Sequence, residues 1–245
     1  MFSARADVNG PLSCVWPQID PDIITLGDAY ITFEGRVPIG LRLALPAYAQ
    51  MLALVEAAKS AADTAISSEA QRAISATDLA NAMEQAKRLL DDALKQLKGR
   101  YSKNLAHLQV YNLSTKVGAR GDVLVSRPTN DKGWARFLNG YVTQQAQLPE
   151  ADRICDPSLA QLQQLDQIVS AAQANRVSGR TQREIGVQNR SAAATRLLDH
   201  LQLAAFALVV TRFDGHVVNE LQQWGFNIVA KTAPEQPAPP EQPAA

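Results

Sequence analysis

Between Leu79 and Leu108, apolar side chains recur at steps of four and three: Leu79, Met83, Ala86, Leu90, Ala93, Leu97, Tyr101, Leu105 and Leu108. That spacing follows the 3.6-residue helical turn and holds a stripe on one face for about eight turns. A run this long has to bury its apolar face against other helices. Composition agrees: of 245 residues, 39 are Ala and 21 are Gln, while aromatics make up 6%. Ala and Gln favour helix, and Ala-lined faces let helix backbones approach closely. The expected fold class is mainly α.

Punctuation divides the chain. Pro46 opens a helix carrying Met51, Leu54, Val55, Ala58 and Ala62. The Ser-rich passage Ile66 to Thr77 predicts a turn, with Ser75 and Asp78 approximating a capping box ahead of the long stripe. Val123-Leu124-Val125 reads as a short strand. Asp131 is placed to cap a shorter helix through Trp134, Phe137, Leu138 and Tyr141, stopped by Pro149. Pro157 opens another helix bearing Leu159, Leu162, Leu165, Ile168, Val169 and Ala172, with a break expected at Ser178-Gly179. A last helix runs from Ile185 toward Phe213 and ends at Asp214-Gly215. Residues 1–45 differ. Pro11, Pro17, Pro21 and Pro38 interrupt them, and the runs Ile23–Leu26 and Tyr30–Phe33 flank Gly27-Asp28. This pattern suits a short hairpin or an extended arm laid on a helical body.

Two stretches resemble each other. Pro46-Ala-Tyr-Ala-Gln-Met-Leu-Ala-Leu54 aligns with Pro157-Ser-Leu-Ala-Gln-Leu-Gln-Gln-Leu165, and Arg88-Leu-Leu-Asp91 with Arg196-Leu-Leu-Asp199. Arg100-Tyr101 aligns with Arg212-Phe213, and Leu108–Leu113 with Leu221–Phe226. The offsets are 111, 108, 112 and 113; the expected turns would absorb the change from 111 to 108. One α-hairpin cannot bury its own stripe. The expectation is therefore an antiparallel bundle of about four long helices from two duplicated α-hairpins, 46–117 and 157–230. A connector, 118–156, supplies a shorter helix, and a small irregular or β arm precedes the bundle, which spans 46–230. Tyr111 and Trp224 would plug its ends. A Pro-rich tail, 231–245, repeats Glu-Gln-Pro-Ala and reads as extended.

The chemistry is sparse. There is no Glu-x-x-His, His-Glu-x-x-His, Gly-x-Ser-x-Gly, Gly-x-Gly-x-x-Gly or phosphate-binding loop motif. His107, His200 and His216 have no Cys or carboxylate at ligand spacing on their own helical face, apart from generic neighbours such as Asp199. No catalytic, cofactor-binding or metal-binding residue is assigned, and no cofactor is expected. Cys14 and Cys155 read as free thiols. With no signal peptide recognised, and the apolar run Leu203–Val210 too short for a span, a cytoplasmic chain without a membrane span is expected. Arg120-Gly121-Asp122 reads as a chance tripeptide.

Lys+Arg and Asp+Glu are equal at 24 each, yet charge is uneven. Two stretches offer a basic interaction surface: Lys87, Lys95, Lys98, Arg100 and Lys103, then Arg176, Arg180, Arg183 and Arg190. The function expected is non-enzymatic, in assembly or protein–protein interaction, with a second copy of the chain or another protein as partner. Two alternatives stand beside it. One is a small-ligand protein or enzyme using Arg100, Tyr101 or His107 at a bundle end. The other is a nucleic-acid-associated protein using the basic stretches, disfavoured because no aromatics interleave with the cations.

Overall fold

The computed structural model describes residues 10–118 and 123–231. The tripeptide Arg120-Gly121-Asp122 and the tail beyond Lys231 lie outside the described residues. The chain is mainly helical with a small strand-containing N-terminal region. In order it forms β1 (Leu12–Val15), α1 (Asp20–Glu34), a 3₁₀ turn Ile39–Leu41 and α2 (Tyr48–Arg100). A 3₁₀ segment Leu105–Tyr111, β2 (Thr115–Val117) and β3 (Val123–Val125) follow. Then come α3 (Asp131–Gln147), a 3₁₀ turn Glu150–Asp152, α4 (Leu159–Arg212), a 3₁₀ segment Asn219–Trp224 and β4 (Asn227–Ala230).

Three expectations give way. First, Ile23–Leu26 and Tyr30–Phe33 are not a hairpin but part of α1. Asp20 and Asp22 occupy its first turn with Pro21 between them, and Ile23, Leu26, Tyr30 and Glu34 are buried at helical spacing. Gly27 marks a close approach, where an added Cβ would lie 2.8 Å from Val55 and 3.0 Å from Leu197. Packing of that face overrides the β preference of the branched residues.

Second, no turn forms at Ile66–Thr77 or at Ser178-Gly179; α2 and α4 run through both. The hydroxyls that suggested turns bond back one turn along the helix instead, Ser75 to the Gln71 carbonyl and Thr181 to that of Val177. The 46–117 and 157–230 stretches are thus each built around one long helix rather than an α-hairpin. Third, with both segments helical, the three-residue offset change has no loop to occupy. Leu90, Ala93 and Leu97 are fully buried, as are Leu201, Ala204 and Leu208, one offset of 111 later. The Arg88–Asp91 and Arg196–Asp199 match therefore falls out of register. The helix α3 stands where expected, with the Asn130 side chain, rather than Asp131, capping it through the Gly133 N–H at 2.8 Å.

The fold divides into two compact units, the first ending at Ile66 and resuming at Ile185, the second spanning Ser67–Glu184. In unit 1, β1 and β4 pair antiparallel with Leu12 opposite Ala230 and Val15 opposite Asn227. Its core gathers Ile23, Tyr30, Met51, Val55, Leu197, Leu201, Leu208, Trp224 and Phe226. Here α4 carries an 18-residue window of mean hydropathy 1.3, of which 39% is buried. Among the described residues it is the one helix long and apolar enough to cross a membrane, so the run Leu203–Val210 belongs to a longer apolar window. In unit 2, β2 and β3 pair antiparallel with Thr115 opposite Val125. Its core gathers Leu79, Met83, Leu90, Leu97, Tyr111, Phe137, Leu138, Tyr141 and Leu162.

Tyr30 and Tyr141, related by the same offset of 111, are fully buried, and neither hydroxyl has a hydrogen-bond partner among the described residues. Burial pushes the Tyr141 phenol up to about 12 and that of Tyr30 well above the ordinary tyrosine value. An unpaired buried hydroxyl costs desolvation that nothing returns. Tyr30→Phe and Tyr141→Phe should each raise stability by about 1 kcal/mol. Urea denaturation checks this, and a loss of stability in either variant contradicts it.

Candidate functional site

The buried side chains of Glu34 and Gln145 each hold one backbone N–H and one side chain. In unit 1, Glu34 Oε1 accepts the Leu43 N–H at 2.8 Å, and Oε2 accepts the Trp224 indole N–H at 2.7 Å. In unit 2, Gln145 Oε1 accepts the Ile154 N–H at 2.9 Å, and its amide donates to the Tyr111 hydroxyl at 3.2 Å. Arg42 donates to the carbonyls of Val37 and Gly35, and Arg153 to those of Leu148 and Ala146. Each member of the first set precedes its counterpart by an offset of 111, except Trp224, which follows Tyr111 by 113. These groups cap turns and fix where one element enters the next. Their hydrogen-bonding capacity is spent on the fold.

Residues considered for a bundle-end site do the same work. The Tyr101 ring lies 4.6 Å from that of His107, and its hydroxyl lies 3.4 Å from that of Tyr111. Arg100 donates to the Asp152 carbonyl. Among the described residues, no group of three or more His, Cys, Asp or Glu side chains could hold a metal ion. Cys14 and Cys155 are free.

A cavity of about 1090 Å3 opens in unit 2, walled by α2, α3 and α4. Arg72 comes from α2, Lys132 and Arg136 from α3, and Arg176, Arg180 and Arg183 from α4. Asp131, Asp166 and Glu184 are the acidic members, so among the described residues six cations face three carboxyl groups. Most of these charges are paired. Glu69 takes both Arg72, at 2.6 Å, and Arg183, and these hydrogen bonds hold its carboxyl below the usual range. Arg180 pairs with Glu184 at 3.0 Å, and Asp131 with Lys87 at 2.7 Å. Half-buried Asp166 is pushed upward by desolvation. Among the described residues, no carboxylate pairs with Lys132, Arg136 or Arg176.

The basic stretches named from sequence are thus split. Arg176, Arg180 and Arg183 share the cavity; Lys87 reaches it only through its pair with Asp131. Lys95 pairs with Asp92 along its own helix at 2.7 Å, while Lys98, Arg100 and Lys103 do not line the cavity. Arg190 belongs to unit 1, bonded to Asp20 at 2.9 Å. Sequence reasoning missed Arg72, Lys132 and Arg136. The signal was present at an offset of 111, where Lys132, Arg136 and Arg176 stand against uncharged Pro21, Thr25 and Ala65. Comparison with protein-family models, with curated proteins and with solved structures gives no match.

Proposed function

We propose that this is a non-enzymatic assembly protein, built by duplication of one segment at the offset of 111 and joining to further copies of itself through its long helices. The copies run 12–117 and 123–230, each giving strand, helix, 3₁₀ turn, long helix, 3₁₀ segment and strand in that order. The recurrence of the backbone-holding contacts at one offset supports duplication. An antiparallel course of the long helices within unit 2 fits its contacts. Arg72 and Ser75 lie against Gly179, and further along α2 Gln96 donates to the Asp156 carbonyl.

The observation that carries assembly is a repeated apolar surface. Ile66 and Val177, one offset apart, are 67% and 69% exposed; Ile74 and Ile185, also one offset apart, are 54% and 50% exposed. The fold does not bury these side chains, yet both copies keep them apolar. Scattered exposed apolar residues need no explanation, but a matched set on long helices suits helix-to-helix docking of identical chains. A reducing, cytoplasmic setting goes with this reading, since Cys14 and Cys155 are thiols.

Light scattering across concentration tests it. The wild-type chain should exceed its monomer mass at tens of micromolar. The exposed double substitution Ile74→Glu/Ile185→Glu should return it to monomer with helicity unchanged. A strict monomer at high micromolar concentration overturns the reading.

A further inference from the structure

The cavity of unit 2 supports an inference beyond assembly. We propose that it binds a multiply charged oxyanion of small-molecule size, one whose phosphate or carboxylate groups span the walls formed by α3 and α4.

The scaffold itself does not call for these cations. Residues 12–117 give the same order of elements about one offset of 111 earlier, and there the counterparts of Lys132, Arg136 and Arg176 are Pro21, Thr25 and Ala65. The counterpart of Asn139 is Asp28, that of Ser170 is Lys59, and these two pair at 2.6 Å. The counterpart of Asp166 is Val55, fully buried in the core. The architecture therefore forms without cations at these three positions. Their presence in unit 2 is a property of the cavity.

The spacing then describes the ligand. Lys132 and Arg136 stand four residues apart on α3, and Arg176 and Arg180 four apart on α4, so each pair occupies one helical face about 5–6 Å apart at Cβ. Both pairs line the same space. Lys132 and Arg136, neither paired with a carboxylate among the described residues, repel as neighbouring like charges on one helix, an arrangement a bound anion relieves. Guanidinium groups match phosphate and carboxylate oxygens two at a time, whereas a lone monovalent ion would reach one wall only. At about 1090 Å3 the cavity is slightly larger than the usual range for small-molecule sites, with room for a ligand that reaches both walls. Among the described residues no aromatic ring lines it, so they offer no platform on which a nucleic-acid base would stack.

Calorimetric titration of the full-length chain at low salt tests the proposal, with tripolyphosphate and citrate as separate probes. One of them should bind saturably at one site per chain, and which one binds identifies the oxyanion. Arg136→Gln/Arg176→Gln should weaken that binding at least tenfold, and Asp166→Asn should strengthen it two- to fivefold by removing the opposing carboxyl. Circular dichroism should show both variants folded, and light scattering should show assembly unchanged, so failure here is separable from failure of the assembly reading. Saturable binding by neither probe overturns the proposal, as does equal binding by the folded Arg136→Gln/Arg176→Gln variant.

Discussion

Glu34→Ala should destabilise the protein by about 3–5 kcal/mol, and Glu34→Gln by about 1–3 kcal/mol, with the second loss partly recovered by adding Trp224→Tyr. Glu34 is fully buried. It takes two N–H donors, the Leu43 amide and the Trp224 indole, with Arg212 3.6 Å away. Alanine leaves both N–H donors without an acceptor and takes the carboxylate from the guanidinium, which keeps only the Leu41 carbonyl. Glutamine has one acceptor oxygen. If that oxygen keeps Leu43, its amide N–H2 faces the indole N–H, donor against donor, because an indole nitrogen only donates.

Unit 2 shows the other solution. There the counterpart at the offset of 111 is Gln145, and its amide meets the Tyr111 hydroxyl, which can accept. Acid with indole and amide with phenol are two consistent pairs; amide with indole orphans a donor. Trp224→Tyr alone should also cost stability. It removes a ring packed 4.5 Å from Phe33 and 6.4 Å from Phe213, and leaves volume unfilled. The double variant should therefore lose less than the sum of the singles, by about 1 kcal/mol or more. Urea denaturation of all four proteins measures this coupling. Additive losses would mean that the two contacts are independent, contrary to the pairing seen in both units.

The same contacts show which parts of the fold can be read in advance. The stripe from Leu79 is legible because apolar spacing reports burial directly, and seven of its nine members are buried in unit 2. Pro46 and Pro157 mark the helix starts only approximately, each standing two residues before its helix, at Tyr48 and Leu159, rather than in the first turn. The β-branched run in α1 misleads, since local preference says nothing of the partner surface that Ile23, Leu26 and Tyr30 meet. The Ser-rich passage of α2 misleads for a related reason. Hydroxyls favour turns only when no better partner exists, and a carbonyl one turn back serves them equally well. In the cavity, Arg176, Arg180 and Arg183 are visible as a charge run on one helix. Lys132 and Arg136 join them only because α3 packs beside α4, an encounter between segments distant in sequence.

Gly140→Ala should cost about 3 kcal/mol, because the methyl group has nowhere to go. A Cβ there would lie 2.7 Å from both the carbonyl carbon and the oxygen of Tyr111, and 2.8 Å from the Asn112 side chain. Backbone atoms cannot step aside as a side-chain tip can. The packing of α3 against the 3₁₀ segment Leu105–Tyr111 would have to open. Unit 1 reverses the assignment. The equivalent helix position is Ala29, and the residue it meets is Gly225, where an added Cβ would lie 2.6 Å from that of Ala29. Asn112 and Gly225 both hold left-handed backbone, with φ of 59° and 87°. Asparagine tolerates this region and glycine enters it freely. The crossing in unit 1 thus has room for one Cβ, while in unit 2 a Cβ on the helix would meet the Asn112 amide as well as the Tyr111 backbone. Asn112→Gly should recover part of the Gly140→Ala loss, bringing unit 2 to the arrangement of unit 1. Conversely, Gly225→Asn should be severe alone and much milder with Ala29→Gly, where the new amide can reach the Thr25 carbonyl as Asn112 reaches that of Arg136 at 3.1 Å. Thermal denaturation of both pairs decides the matter. If neither second substitution lessens the damage of the first, the crossings are not equivalent and the case for duplication loses one of its supports.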